Sequence, residues 1–157
     1  MDGLLQHYKY KEMLHLANTF ATLLHDKKIA DTPSTNKIDL IIPMPMHHAR
    51  LKERGFNQAL EIAKIISKNA QIQLDYSACQ RTKLTPPQAS LPLKERIKNI
   101  RGVFSCQQQL QGLNIALVDD VMTTGASLNE LAKTLKQAGA VHVECWVIAR
   151  TLPKLFN

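Results

Sequence analysis

Two stretches of this chain, "KIDLIIP" at 37–43 and "NIALVDD" at 114–120, are short, continuously apolar, and each followed by a loop and then an amphipathic pattern of helical period. A strand with no polar alternation is buried on both faces, the condition of a parallel strand lying between layers of helix. Parallel neighbours need a crossover, and the helical stretch after each run supplies it. These two runs predict an α/β fold with a mainly parallel central sheet and helices on both faces.

The remaining pattern fits around them. Met13, Leu16, Ala17, Phe20, Leu23 and Leu24 recur at helical spacing, so 9–26 reads as a helix that "DTPSTN" ends. After "KIDLIIP" comes a basic loop, "MPMHHARLKERG", and then a helix marked by Phe56, Ala59, Leu60, Ala63 and Ile66, ending before "NAQIQL". "DYSACQRT" is weakly strand-like. Residues 83–93 hold three prolines and predict a long exposed loop. Leu128, Leu131, Ala132 and Leu135 line the next helix, with Gly139 as its C-terminal cap, and "AVHVECWVIAR" reads as a last strand. No repeat or low-complexity tract interrupts this order. The 157 residues suit one domain over 1–157, enough to bury roughly 70 % of the surface the unfolded chain exposes.

Composition narrows the function classes. A net charge of +7 and a pI near 9.5 favour anionic partners: phosphates, nucleic acid or an acidic membrane surface. Cys79, Cys106 and Cys145 are far apart in the sequence and form no CxxC pair, so neither a zinc knuckle nor a disulfide framework is indicated, and free thiols are expected. The N-terminal "MDGLLQHYKYKEML" lacks a signal-peptide layout, and no apolar run approaches the roughly 20 residues of a membrane span. A soluble cytoplasmic protein is expected.

"LVDDVMTTGAS", 117–127, places two acids at the carboxyl end of a buried strand and a loop of small residues before a helix. In open parallel sheets ligands bind beyond such strand ends. The loop's N–H groups and hydroxyls sit at the positive end of the helix dipole and suit a phosphate, which Gly125 lets the backbone approach closely. Two carboxylates beside a phosphate need hydroxyl donors or a magnesium ion to face. A ribose bearing a terminal phosphate supplies both hydroxyls and anion. A turn with a helix cap accounts for one acid but not two. The strand end is expected to face solvent, so that exchanging both acids for Asn should leave the fold intact.

"ALVDDVMTTGAS" resembles the phosphoribosyl pyrophosphate motif of type I phosphoribosyltransferases. "PMPMHHARLKERGFNQA" and "RTKLTPPQASLPLKERIKNIRGVF" are similar to one branch of that superfamily, the ComF family of competence proteins, which includes GntX-like proteins. The resemblance implies a Rossmann-like phosphoribosyltransferase core, magnesium-dependent binding of phosphoribosyl pyrophosphate, and a role in natural transformation. It implies that Asp119 and Asp120 hold the ribose hydroxyls and, through water, magnesium. Thr123, Thr124, Gly125, Ala126 and Ser127 would cradle the 5'-phosphate, and Arg50 and Arg54 would meet pyrophosphate. A proline-stiffened segment from Arg81 and Lys83 to Lys94 and Arg96 would close as a lid. His47 and His48 lack metal-ligand spacing and read as loop positions. Many family members begin with a four-cysteine zinc module; no cysteine precedes Tyr8, so none is expected here.

Three readings follow. The first is a phosphoribosyltransferase of unknown acceptor, whose leaving-group charge magnesium and arginines would neutralise. The second is a protein that senses the same ligand without turnover, or binds single-stranded DNA along Lys94, Arg96, Lys98 and Arg101. With aromatics at 5 % of the chain there is little material for base stacking, so such binding would be electrostatic and salt-dependent. The third, implied by the resemblance alone, is a module for the ComFA helicase or DprA. A homodimer is left open.

Overall fold

The computed structural model describes residues 37–84 and 99–150, together with the exposed helical residues His15, Asn18, Thr19 and Thr22. Those four agree with the helix expected over 9–26, the rest of which lies outside the described residues. Strand β1 is Leu40–Pro43, and β5, Asn114–Met122, runs parallel beside it. A clamp at their amino ends sets the register. Asp39 N donates to Asn114 O (2.8 Å), Asn114 N donates to the Asp39 carboxylate (2.8 Å), and Asn114 Nδ2 reaches Lys37 O (3.0 Å). From that anchor Leu40 pairs with Ile115 and Pro43 with Val118, which leaves Asp119 one step past the end of β1.

The sheet has the order β2-β1-β5-β6, all neighbours parallel, with β2 at Gln73–Leu74 and β6 at His142–Arg150. Pro43 is tolerated in an interior strand for a geometric reason. Met44 N donates to Val118 O (2.8 Å), so the preceding position faces the β2 side, where β2 has already ended opposite Ile41.

Both faces of the sheet are covered, as expected. On one, Ile41, Ala116 and Val118 pack with Ile62, Ala63 and Ile66 of the helix Gln58–Ala70, and with Trp146. On the other, Leu40, Ile42, Ile115 and Leu117 meet Leu128, Leu131 and Leu135 of the helix Ala126–Gln137. Each fully buried Ile or Leu here contributes about 1.5–3 kcal/mol relative to exposure. Gly139, at φ +108° just past that last helix, carries the sharp exit into β6.

Three details depart from the sequence reading. The basic segment after β1 is not all loop: His48–Arg54 forms helix α1, ended by Gly55 at φ +81°, whose N–H donates to Leu51 O (2.8 Å). None of its residues is buried, so it has no apolar stripe to betray it in the sequence. Gln58–Ala70 is thus α2 and Ala126–Gln137 α3. Strands β2 and β4, Phe104–Cys106, are too short for a recognisable alternation, while β3, Cys79–Arg81, lies within the weakly strand-like stretch. β3 and β4 pair as a separate antiparallel ribbon. Finally, β5 continues to Met122, two residues beyond the acidic pair.

Candidate ligand site at the carboxyl ends of β1 and β5

The acidic pair stands on a strand, and that fixes its electrostatics. Asp119 pairs in register with Val147 of β6, and both acids are half-buried rather than solvent-facing as the sequence suggested. Asp119 Oδ1 accepts from Asp120 N (3.0 Å), and Asp120 Oδ1 accepts from Val121 N (2.8 Å). Burial and the neighbouring Asp120 charge push the Asp119 pKa up to about 7, against a smaller opposing pull from Arg81. A like-charged pair held under this tension is a place where a cation or hydroxyl donors are stabilised. Two hard carboxylate oxygen donors fit magnesium, which meets protein through one or two carboxylates and completes its shell with water and substrate phosphate. Among the described residues no group of three or more His, Cys, Asp or Glu side chains forms a dedicated cage.

Immediately after the strand, Asp119, Thr123, Thr124, Gly125, Ala126 and Ser127 line one small pocket of about 40 Å³, closed by Val121, Met122 and Leu128. All five residues expected at a phosphate therefore converge with the first acid. Gly125 caps α3 with φ +74° and no side-chain cap, and Asn129 N closes the first turn onto Gly125 O (2.8 Å). The Thr124 hydroxyl receives a long hydrogen bond from Ala126 N (3.4 Å). An added Cβ at Gly125 would meet only Met122 Sδ at 3.6 Å, so the glycine is required by its backbone conformation rather than by crowding.

The loop after β1 is tied to β5 by the Met44–Val118 bond and to α2 by Asn57. The Asn57 side chain donates to Met44 O (3.1 Å) and caps α2 by accepting from Ala59 N (3.1 Å). His47 caps α1, its Nδ1 accepting from Ala49 N (3.2 Å), and its ring lies against that of His48 with centroids 4.2 Å apart. Its burial, then the charges of His48 and Arg81, lower its pKa. The two histidines, read from the sequence as loop positions, thus stand at the start of α1, His47 as its cap and His48 as its first residue. His48 is exposed.

The residue that joins the two halves is Arg81, expected in the lid. Asp75 Oδ1 accepts from Ser77 N (2.7 Å), the Ser77 hydroxyl (2.8 Å) and Ala78 N (2.9 Å), turning the chain from β2 into β3. On β3 the Arg81 guanidinium lies over the Phe104 ring, 5.7 Å from its centroid, a contact worth about 0.5–1 kcal/mol. Burial lowers its pKa, Arg50 adds to that, and Asp119 opposes it, so the three charges form one neighbourhood. Arg50 is half-buried; Arg54, one turn on along the same face of α1, is exposed, as is Lys83. Lys94, Arg96 and Lys98, with the lid beyond residue 84, lie outside the described residues; Arg101 is exposed.

The sequence did not point to a second, larger cleft of about 450 Å³ beside Arg81, lined among others by Phe56, Asn57, Leu60, Tyr76 and Gln80. Its walls come from α1, α2 and β3, and only their packing reveals it.

No family model matches the chain. It is 33 % identical over 153 residues to Competence protein F of Haemophilus influenzae, covering 94 % of this chain and 66 % of that one. It is 31 % identical over 157 residues to DNA utilization protein YhgH of Shigella flexneri, covering 97 % and 68 %. The chain thus spans about two thirds of the length of these curated relatives. Among solved structures, hypoxanthine phosphoribosyl transferase of Trypanosoma cruzi superposes with a TM-score of 0.53 at 10 % identity, over 90 % of this chain and 75 % of that one. Purine phosphoribosyltransferase of Pyrococcus horikoshii gives 0.50 at 16 % identity, over 89 % and 77 %. At such identities the superpositions speak for the fold alone, and the relatives for the lineage. The chain belongs to the ComF family of competence and DNA utilization proteins and has the type I phosphoribosyltransferase fold.

Proposed function

We propose that this chain, as a single phosphoribosyltransferase-like domain, binds phosphoribosyl pyrophosphate with magnesium and transfers the phosphoribosyl group in support of DNA uptake. The observation that carries the reading is the pocket in which Asp119 meets Thr123, Thr124, Gly125, Ala126 and Ser127 at the head of α3. Backbone N–H groups there receive the 5'-phosphate, and the Asp119 and Asp120 carboxylates accept hydrogen bonds from the ribose hydroxyls. Arg81 and Arg50 face the pyrophosphate, with Arg54 and Lys83 contributing from the exposed rim; guanidinium groups bind it through paired hydrogen bonds. Magnesium held near the acids would supply charge neutralisation for the leaving pyrophosphate. The Arg81 charge, kept in place by Phe104 and partly withdrawn from water, does the same from the protein side.

The test is calorimetric titration of phosphoribosyl pyrophosphate with and without magnesium, on the native chain and on the Asp119→Asn, Asp120→Asn double variant. Saturable binding that needs both magnesium and the acids supports the site. Undiminished binding by a folded double variant overturns it. Pyrophosphate release in the presence of candidate acceptors then separates transfer from ligand sensing.

A further inference from the structure

Cys79 and Cys106, 27 positions apart in sequence, are placed directly opposite one another across the β3–β4 ribbon. The ladder shows which kind of pair they are. Thr82 N donates to Val103 O (2.8 Å) and Gln107 N donates to Ala78 O (3.3 Å), so the hydrogen-bonded pairs lie at alternate rungs on either side. Cys79–Cys106 is therefore a non-hydrogen-bonded pair, in which Cα atoms stand about 4.5 Å apart and side chains approach most closely. That spacing lies within the range a disulfide spans. The two side chains share one face of the ribbon, and Cys106 Sγ also reaches Gln108 O at 3.6 Å.

We propose that Cys79 and Cys106 form an oxidisable dithiol that closes to a cross-strand disulfide on exposure to a small-molecule disulfide such as oxidised glutathione. The accessibilities set the order of events. Cys106 is partly exposed, whereas Cys79 is 3 % exposed and its thiol is pushed far up by burial and by its Cys106 neighbour. The Cys106 thiolate attacks one glutathione sulfur, breaking the S–S bond and releasing one glutathione thiolate. Cys79, giving its proton to solvent, then attacks Cys106 Sγ and expels the second glutathione. Two protein thiols are oxidised and one glutathione disulfide becomes two glutathiones. Because Arg81 follows Cys79 by two residues on the same face of β3, the bond would tie down the strand that carries this arginine beside Asp119.

Cys145 is exposed and would take up glutathione on its own account, so the experiment uses the Cys145→Ser chain. The folded protein is incubated with oxidised glutathione, alkylated, digested and mapped by mass spectrometry. The expected product is a Cys79–Cys106 linked peptide, with no lasting adduct on either residue, and in Cys145→Ser, Cys106→Ser the Cys79 thiol stays reduced. A persistent glutathione adduct on Cys106 beside a reduced Cys79 would overturn the proposal. So would both thiols remaining free under conditions that oxidise the same chain in denaturant.

Discussion

Replacing Asp119 with Asn should stabilise the ligand-free protein at alkaline pH, because the acidic pair is held at the expense of the fold. Burial and the Asp120 charge raise the Asp119 pKa from 3.8 to about 7. Between those values the folded protein retains a proton that the unfolded chain has released, so stability falls as pH rises. The contribution is fully present below pH 3.8 and is lost as pH rises through about 7. At ~1.4 kcal/mol per pKa unit the full shift corresponds to ~4 kcal/mol; the carboxyl keeps some contact with water, and screening reduces this to about 2 kcal/mol. For a chain of this size that is a change of roughly 4–8 °C in Tm. The assay is thermal unfolding of the native chain and of Asp119→Asn in chelator, at about pH 8.5 and about pH 5. The variant should melt several degrees higher at the alkaline value, with the gap narrowing at the acid one. A variant less stable than the native chain at alkaline pH, or a gap that ignores pH, refutes the argument from burial and like charge.

Gly139→Ala should cost about 2 kcal/mol or more in denaturant unfolding, since its Cβ would stand 2.5 Å from Gln111 Oε1 and 3.0 Å from Gln111 Cα at φ +108°. Gly102→Ala, at φ +64° with nothing within 4 Å, should lose only the backbone strain of about 1 kcal/mol, and equal losses would refute the crowding argument. At the ligand site, Arg81→Ala should weaken phosphoribosyl pyrophosphate about tenfold or more in calorimetry, whereas the exposed Arg54→Ala should change affinity by about threefold or less.

The parts of the fold legible in the sequence are those whose burial leaves a pattern. β1 and β5 are apolar on both faces, and α2 and α3 carry stripes at helical period, so each could be read without knowing its neighbours. Elements that bury little left no such mark. α1 has no buried residue and is held by its own local caps, whereas β2, of two residues, and β4, of three, owe their shape to strand partners elsewhere in the chain. Glu130 of α3 shows how: its carboxylate accepts from Gly102 N (2.6 Å), 28 positions away, and so fixes the approach to β4.

The candidate site divides the same way. Asp119, Asp120 and the small-residue loop are contiguous, and local chemistry at a strand end suffices to single them out. Arg81 could be named from the sequence only as one basic residue of a long loop. Its sharing of one electrostatic environment with Asp119 and Arg50 follows from the ribbon, which needs β4 as well as β3, and from the Phe104 ring beneath it. Likewise the cysteines look isolated along the chain, and only antiparallel pairing sets Cys79 against Cys106. Sequence alone determined the alternation of strand and helix and the chemistry of one loop, because both depend on periodicity and nearest neighbours. Tertiary structure decided which charges share an environment and which thiols face each other, because those depend on distances between residues that the chain separates and the packing of the sheet brings together.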